Sequence, residues 1–395
     1  MTLPASGAIS FSQINTELCR SSTATLSLND SGVRGLFGQA SGSVDMNTGH
    51  GKSNTSVPGA PTGVSGSATS CSAISVSFSA PASNGGLSID YYQAISSPGC
   101  FTATGTSPIS VSGLSAATSY TFRVRAHNSK GYGCYSSSSG SVTTSAAPGS
   151  QSYTSAGTYS WVAPAGVTSV SAVTIGKGGK GTAYFNCAYY VFGGGGGGLG
   201  YRNNISVTPS ASYTVYVPCY CYGGASTYFI NLCTVSGSNN GSHGGTGGGN
   251  GGGGGYWASV CCPKAAGGGG AGGYSGAGGC GGGALGLSGG NGAGGGAAGG
   301  NGASSGGASA GKPGGGVGLF GQGSSGTSGT NAGGGSGGTS ACGFTAGSYG
   351  GGARASNNGA PGPGSPNTYN GAGGAVRIVW PGNTRTFPST GVGSP

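Results

Sequence analysis

From about Gly176 to Gly374 the chain is built on glycine, in runs such as Gly193 to Gly198, Gly247 to Gly255, Gly267 to Gly273, Gly278 to Gly283 and Gly292 to Gly300. The whole chain holds 98 glycines in 395 residues, against about 7% in ordinary proteins. Glycine loses more backbone freedom on folding than any other residue and buries almost nothing in return. Such a tract has two fates. It stays a flexible coil, or the missing side chain lets main chains touch. The second fate has a definite geometry, because extended left-handed helices with three residues per turn leave their peptide groups unpaired and pointing outward. Where every face is glycine or alanine, such helices can lie side by side and hydrogen-bond to one another, with Cα–H···O contacts in support. Collagen needs one obligatory glycine in three with abundant proline. Here the glycines come two and three together and the chain has only 18 prolines.

Two features favour order. Compact clusters of large side chains interrupt the glycine: Tyr184, Phe185, Tyr189, Tyr190 and Phe192; Tyr220, Tyr222, Tyr228, Phe229 and Ile230; Tyr256 and Trp257; Leu319 and Phe320. Strand-like sequence also brackets the tract at both ends. The expectation is a packed polyglycine-type region, with a disordered tract as the competing reading.

Charged residues make up 5% of the chain, and no run of apolar residues is long enough to span a bilayer. All four acids, Glu17, Asp30, Asp45 and Asp90, fall in the first quarter, while basic residues continue to Arg385. The formal net charge of +10 suits an anionic partner such as an acidic glycan, or simply keeps particles apart. Nucleic acid is a poor fit, since the basic residues form no stripe or cluster. The N-terminus lacks the basic start and apolar core of a signal peptide, yet there are 12 cysteines. A particle assembled in the cytoplasm and oxidised after release reconciles the two. Disulfides, unpaired thiols, and a thiolate site from Cys219, Cys221, Cys261 and Cys262 all remain open, though the last lacks the usual spacing.

Residues 1–57 contain Ser6-Gly7-Ala8-Ile9-Ser10-Phe11-Ser12, echoed by Ser41-Gly42-Ser43-Val44-Asp45-Met46-Asn47, both alternating like strands. Between them Ile14 to Leu18 reads as a helical turn, followed by Leu26-Ser27-Leu28-Asn29-Asp30-Ser31-Gly32-Val33-Arg34. So short a segment with so few apolar side chains points to a partner. With Gly51-Lys52-Ser53 it resembles the N-terminal module of bacteriophage tail fibres and related structural proteins, particularly those of cyanobacterial phages. That resemblance implies docking to other virion tail proteins.

Pro58 opens a segment running to residue 147. Ile74-Ser75-Val76-Ser77-Phe78 alternates, the turn Asn84-Gly85-Gly86 follows, and Ser119-Tyr120-Thr121-Phe122-Arg123-Val124-Arg125-Ala126-His127-Asn128 carries the most specific phrase. This stretch resembles a fibronectin type III module with Tyr120 in the tyrosine-corner role. The resemblance places Cys71 and Cys100 at one end of a sandwich, where they are expected to pair. From 148 to 395, Tyr159-Ser160-Trp161-Val162-Ala163-Pro164 and the strand up to Ile175 open the glycine region, and Ala375-Val376-Arg377-Ile378-Val379-Trp380 closes it. The bracket resembles the glycine-rich domain of phage tail fibres and tip adhesins, some of which fold their tracts into polyglycine-II sandwiches with receptor-reading loops. The expected fold is mostly β and multidomain: attachment module, fibronectin type III sandwich, and a β-framework enclosing packed glycine helices.

Chemistry is hard to place. Glycan hydrolysis needs paired carboxylates, and none follows Asp90. His50, His127 and His243 lack acidic or cysteine partners at ligand spacing, so neither metal nor cofactor is expected. Binding is left. Rigid tyrosines offer contact area at modest entropic cost, and Tyr184, Phe185, Tyr189, Tyr190, Phe192, Tyr220, Tyr222, Tyr228, Phe229, Tyr256 and Trp257 are the candidate receptor surface. The alternative is that they cap the glycine layer or fill a subunit interface. Cys187, Cys219, Cys221, Cys233, Cys261 and Cys262 would stiffen the loops around them. The resemblances imply a non-enzymatic virion tail protein that meets a host glycan or outer-membrane protein, with a homotrimer as one expected assembly. A self-assembling glycine-rich filament or extracellular glue is the rival.

Overall fold

The strands that bracket the glycine tract are hydrogen-bonded neighbours. Ser169–Ile175 and Ala375–Trp380 run antiparallel, with Ile175 opposite Ala375 and Ser171 opposite Val379. The computed structural model describes residues 55–185, 189–219, 225–238, 242–259, 265–283, 288–293, 295–301, 312–322, 324–327, 349–352, 355–356 and 367–389, and within the first 54 residues 3, 8–18, 21, 23, 25–38, 41 and 44. The chain divides into two units, Met1–Ala147 and Pro148–Pro395.

In the first unit, Phe11 and Ser12 depart from the strand-like reading, while the helical turn expected at Ile14 to Leu18 overlaps a longer helix. Phe11–Glu17 is a helix. The Gln13 N–H donates to Ser10 Oγ at 3.2 Å, and the Ser10 N–H donates to Gln13 Oε1 at 2.7 Å. That reciprocal capping box outweighs an alternation only a few residues long. The second copy of the repeat, 41–47, lies mostly outside the described residues. A second helix, Ser31–Phe37, is capped by Asp30, whose carboxylate accepts from Gly32 and Val33, and ends at Gly38 with φ 70°. Leu3, Ile14, Val33, Leu36 and Phe37 form a small core between the helices.

Further along, Thr62–Ala68, Ala73–Ser79 and Ile109–Ser112 make one sheet. Thr102–Gly105, Tyr91–Ser97, Ser119–Asn128 and Gly131–Tyr132 make the other. Between them pack Ile74, Val76, Ala94, Ile109, Val111, Leu114, Tyr120, Phe122 and Val124. Tyr120 Oη accepts from the Ser115 N–H at 2.9 Å, closing the corner as expected. The expected Cys71–Cys100 bond is not formed; both are free thiols. Cys100 sits exposed in the turn after Tyr91–Ser97, and the next residue, Phe101, takes the place against the core, edge-on to Tyr120.

The second unit opens with a β-framework of two sheets. One holds Gly247–Gly249, Leu199–Ser206, Ser169–Ile175, Ala375–Trp380 and Gly149–Tyr153; the other holds Gly157–Val162, Ser212–Val217, Thr227–Phe229, Val235–Gly237 and His243–Gly244. Trp161, almost fully buried, meets Phe229 edge-on at 5.8 Å and Trp380 at 5.8 Å between ring centroids.

The glycine segments pack with a period of three. In the stretch 267–273, Gly267 and Gly270 donate to Gly282 and Gly279, Gly268 and Ala271 donate to Lys312 and Gly315, and Gly269 and Gly272 donate to Gly194 and Gly197. The carbonyls of the same stretch accept from Gly255 and Gly252, from Gly300 and Ala297, and from Gly352. Each third residue therefore faces the same neighbour, as side-by-side packing of threefold extended chains requires. Val173, Ile175, Leu199 and Val379 of the framework bury the lattice's few side chains, Ala271, Tyr274, Ala297, Val317 and Leu319.

The framework pairing continues into this lattice without a slip. Ile175 faces Leu199, then Gly176 and Gly179 donate to Gly198 and Gly195, and then Thr182 faces Phe192, all in one register. On the other side, Ile175 faces Ala375, Gly178 donates to Ala372, and Gly181 faces Tyr369, again in one register.

Candidate functional site

At the end of these pairings away from the framework, the aromatic interruptions form a sheet instead of loops. Its strands are Tyr256–Ser259, Tyr189–Phe192, Gly181–Phe185 and Asn367–Tyr369, in that order. Alternation along a strand divides the residues between two faces. Ala183 and Val191 are fully buried and pack with Ala266, at the start of the central glycine stretch. Tyr184, Tyr190, Phe192 and Tyr256 occupy the other face. The register sets Tyr184 opposite Tyr190 and Phe192 opposite Tyr256.

These four rings form a row. Tyr190 and Tyr184 stack at 5.1 Å with 18° between planes, Tyr184 and Phe192 at 5.9 Å with 15°, and Phe192 and Tyr256 at 4.9 Å with 38°. The inner rings, Tyr184 and Phe192, thus cover one another's faces and present their edges. Tyr256, at the end of the row, is 56% exposed, against 37% for Tyr184 and 36% for Phe192. Lys180, just before Gly181, is exposed as well. The pair Phe192–Tyr256 runs on into Gly193 and Gly196, which donate to Gly255 and Gly252. The mount of the aromatic row is therefore main chain hydrogen-bonded to main chain.

Other candidates are dispersed. Phe229 is fully buried against Trp161 and Tyr213, so it serves the framework core and not a receptor surface, because its strand turns it inward. Tyr228, on the opposite face of that strand, packs on Tyr216 at 5.3 Å, apart from the row. Phe185, Tyr189 and Trp257 contribute backbone to the aromatic sheet. Tyr220, Tyr222, Cys187, Cys221, Cys261 and Cys262 lie outside the described residues. Cys233 is an exposed free thiol, and the Cys219 carbonyl accepts from Lys177 Nζ at 3.1 Å. Among the described residues no group of three His, Cys, Asp or Glu is gathered as for a metal ion.

The sequence reading missed a second cluster, on the outer face of the sandwich. His127 Nδ1 lies 3.0 Å from Asp90 Oδ2, because Tyr91 pairs with His127 and brings Asp90 alongside; the histidine is not isolated. Its ring stacks on Tyr91 at 4.6 Å and meets Tyr132 edge-on at 4.8 Å. Tyr91 Oη donates to Tyr132 Oη at 3.0 Å, and that bond is the first cause holding the Tyr91 phenol above its usual range. The signal was available in Thr121, Arg123, Arg125 and His127, which alternate with apolar residues along one strand.

Comparison with known proteins bears on this sandwich. Residues 59–143 match the fibronectin type III domain family. Similar solved structures include domains from titin, at 30% identity over 22% of this chain and 32% of that one, with a TM-score of 0.21. The FN5 domain of Drosophila Lar is 27% identical over 22% of this chain and 97% of that one, with a TM-score of 0.19. The sixth fibronectin type III domain of human fibronectin type III domain containing protein 3 is 24% identical over 25% and 94%, with a TM-score of 0.21. No curated protein matches the chain. A fibronectin type III domain therefore spans residues 59–143, built around the Tyr120 corner and the buried core beneath it.

Proposed function

We propose that this chain is a non-enzymatic structural protein of a bacteriophage tail, a fibre or tip adhesin that meets the host cell surface through the aromatic row. The observation that carries the proposal is the row of exposed Tyr184, Phe192 and Tyr256 with half-buried Tyr190, mounted in register on the glycine lattice. Large apolar rings left at the surface of an otherwise polar chain mark interaction sites. A polyglycine-II-type lattice with few long side chains to reorder gives such rings a pre-organised base, which cuts the entropic cost of contact. Host glycan or an outer-membrane protein is the partner. Residues 1–57 dock to other tail proteins, and the fibronectin type III domain is a spacer or adhesion module. Because Tyr256 is the most exposed ring, it makes the leading contact.

The test is binding of the labelled full-length chain to intact cells of a cyanobacterial panel. The double variant Tyr184→Ala, Tyr256→Ala is expected to bind about tenfold or more weakly, with its melting temperature little changed. Equal binding by the variant and the parent refutes the receptor role. Sedimentation separates the rival filament, since a tail adhesin gives a discrete monomer or trimer and a filament gives open-ended assembly.

A further inference from the structure

The outer face of the fibronectin type III sheet carries polar chemistry the sandwich does not need. Tyr120, Phe122, Val124, Ala126 and Asn128 are buried along Ser119–Asn128, so Thr121, Arg123, Arg125 and His127 lie on the opposite face. The register sets Ser97 opposite Thr121, Ile95 opposite Arg123 and Gln93 opposite Arg125. Arg125 is committed to structure. Its Nε and Nη2 donate to Gln93 Oε1 at 2.9 and 2.7 Å, and its guanidinium lies 3.8 Å from the Tyr132 ring centre and 4.7 Å from that of Tyr135.

Arg123 has a different setting. It is exposed and borders a cavity of about 290 Å³ lined by the hydroxyl-bearing residues Ser97, Thr121, Tyr135 and Ser138, with Ile95, Ser96 and Cys100 completing the wall. None of the lining residues carries a carboxylate. The volume falls at the small end of ligand pockets, enough for one sugar ring. A planar guanidinium matches a carboxylate bidentately, the hydroxyls can exchange hydrogen bonds with a polyol, and Ile95 and the Tyr135 ring offer an apolar surface. We propose that this cavity binds a single uronic acid residue, its carboxylate on Arg123 and its hydroxyls on the serine, threonine and tyrosine groups. This site is in a different unit from the aromatic row, and its success or failure leaves the adhesion reading untouched.

Cys100 supplies the readout, because a sugar seated in the cavity shields its thiol. The full-length chain is alkylated with iodoacetamide, and the rate at each cysteine is followed by peptide mass spectrometry. Methyl glucuronide is expected to slow alkylation of Cys100 and not of exposed Cys134, while methyl glucoside and inorganic sulfate at equal concentration leave both unchanged. Arg123→Gln is expected to weaken the protection about 10- to 100-fold in ligand concentration, the range for losing a charge-assisted hydrogen bond. Absence of protection, equal protection by sulfate, or protection that persists in Arg123→Gln each overturns the proposal. Unfolding of the variant, monitored in parallel, is not expected at so exposed a position.

Discussion

Individual glycines in the lattice differ sharply in what they tolerate. A Cβ at Gly270 would overlap the Ala297 carbonyl oxygen, whereas a Cβ at Gly253 meets nothing within 4 Å. Gly270→Ala is therefore expected to destabilise the unit by about 1–3 kcal/mol, the range for overpacking. Gly253→Ala is expected to stay within about 0.5 kcal/mol. Denaturant unfolding of the two variants side by side checks the contrast. Tyr274 is a different residue-scale constraint. Fully buried, it donates to the Gly318 carbonyl at 3.2 Å and accepts from the Gly321 N–H at 3.2 Å. Burial is the main cause that pushes its phenol well above the usual value. Because the folded-state pKa lies above the unfolded one of about 10, this contribution is full below about pH 10 and declines as the pH rises further. Stability measured from pH 8 to 12 is expected to fall less steeply above about pH 10 in Tyr274→Phe than in the parent. The same slope in both would show that Tyr274 does not govern alkaline unfolding.

Among elements, the helix Ser31–Phe37 depends on one cap. Asp30 Oδ1 accepts from the Gly32 N–H at 2.8 Å and from the Val33 N–H at 3.3 Å. Asp30→Ala is expected to cost about 0.5–2 kcal/mol, read as faster hydrogen exchange at Gly32 and Val33 with the fibronectin type III amides unchanged. Exchange at the parent rate would mean that packing of Val33, Leu36 and Phe37 holds the helix without the cap. The aromatic sheet makes the complementary point. Tyr184 and Ala183 are adjacent in sequence, yet one is an exposed ring and the other sits in a buried contact with Val191 and Ala266. Strand alternation sorts them, and no loop-based reading could.

On the scale of the molecule, order in the glycine region is a property of the whole lattice, since each segment borrows its hydrogen bonds from several others. The amides of Gly196, Gly252, Gly270, Gly279 and Ala297 form a chain of donors, each to the next carbonyl, ending at Ala271. They are expected to exchange together and slowly, at rates set by unfolding of the unit. Fast, independent exchange at these positions would return the tract to a flexible coil. Charge is likewise settled globally. Arg377 is almost fully buried in a unit with no acidic side chain. Its guanidinium donates to the Leu319 carbonyl and Ser150 Oγ at 3.3 Å each and lies 4.3 Å from the Phe320 ring centre. Burial draws its pKa down from the usual arginine value.

Much of this was written in the sequence, because the signals were local. Alternation in Ile74 to Phe78 and Ser119 to Asn128 announced strands, and their resemblance to a fibronectin type III module implied the sandwich and the Tyr120 corner. The β-branched runs ending at Ile175 and starting at Ala375 announced the framework strands; the density of glycine left a coil or main-chain packing, and those strands with the aromatic clusters favoured packing. The tertiary structure alone decided what depends on register between distant segments. It set Thr182 against Phe192 and Phe192 against Tyr256, stacked four rings into one row with three of them exposed, and turned Phe229 into the core. It also placed Asp90 beside His127 and kept Cys71 and Cys100 apart. The physical reason is that glycine specifies close approach but not partner, so only the sum of all the pairings fixes which segments meet.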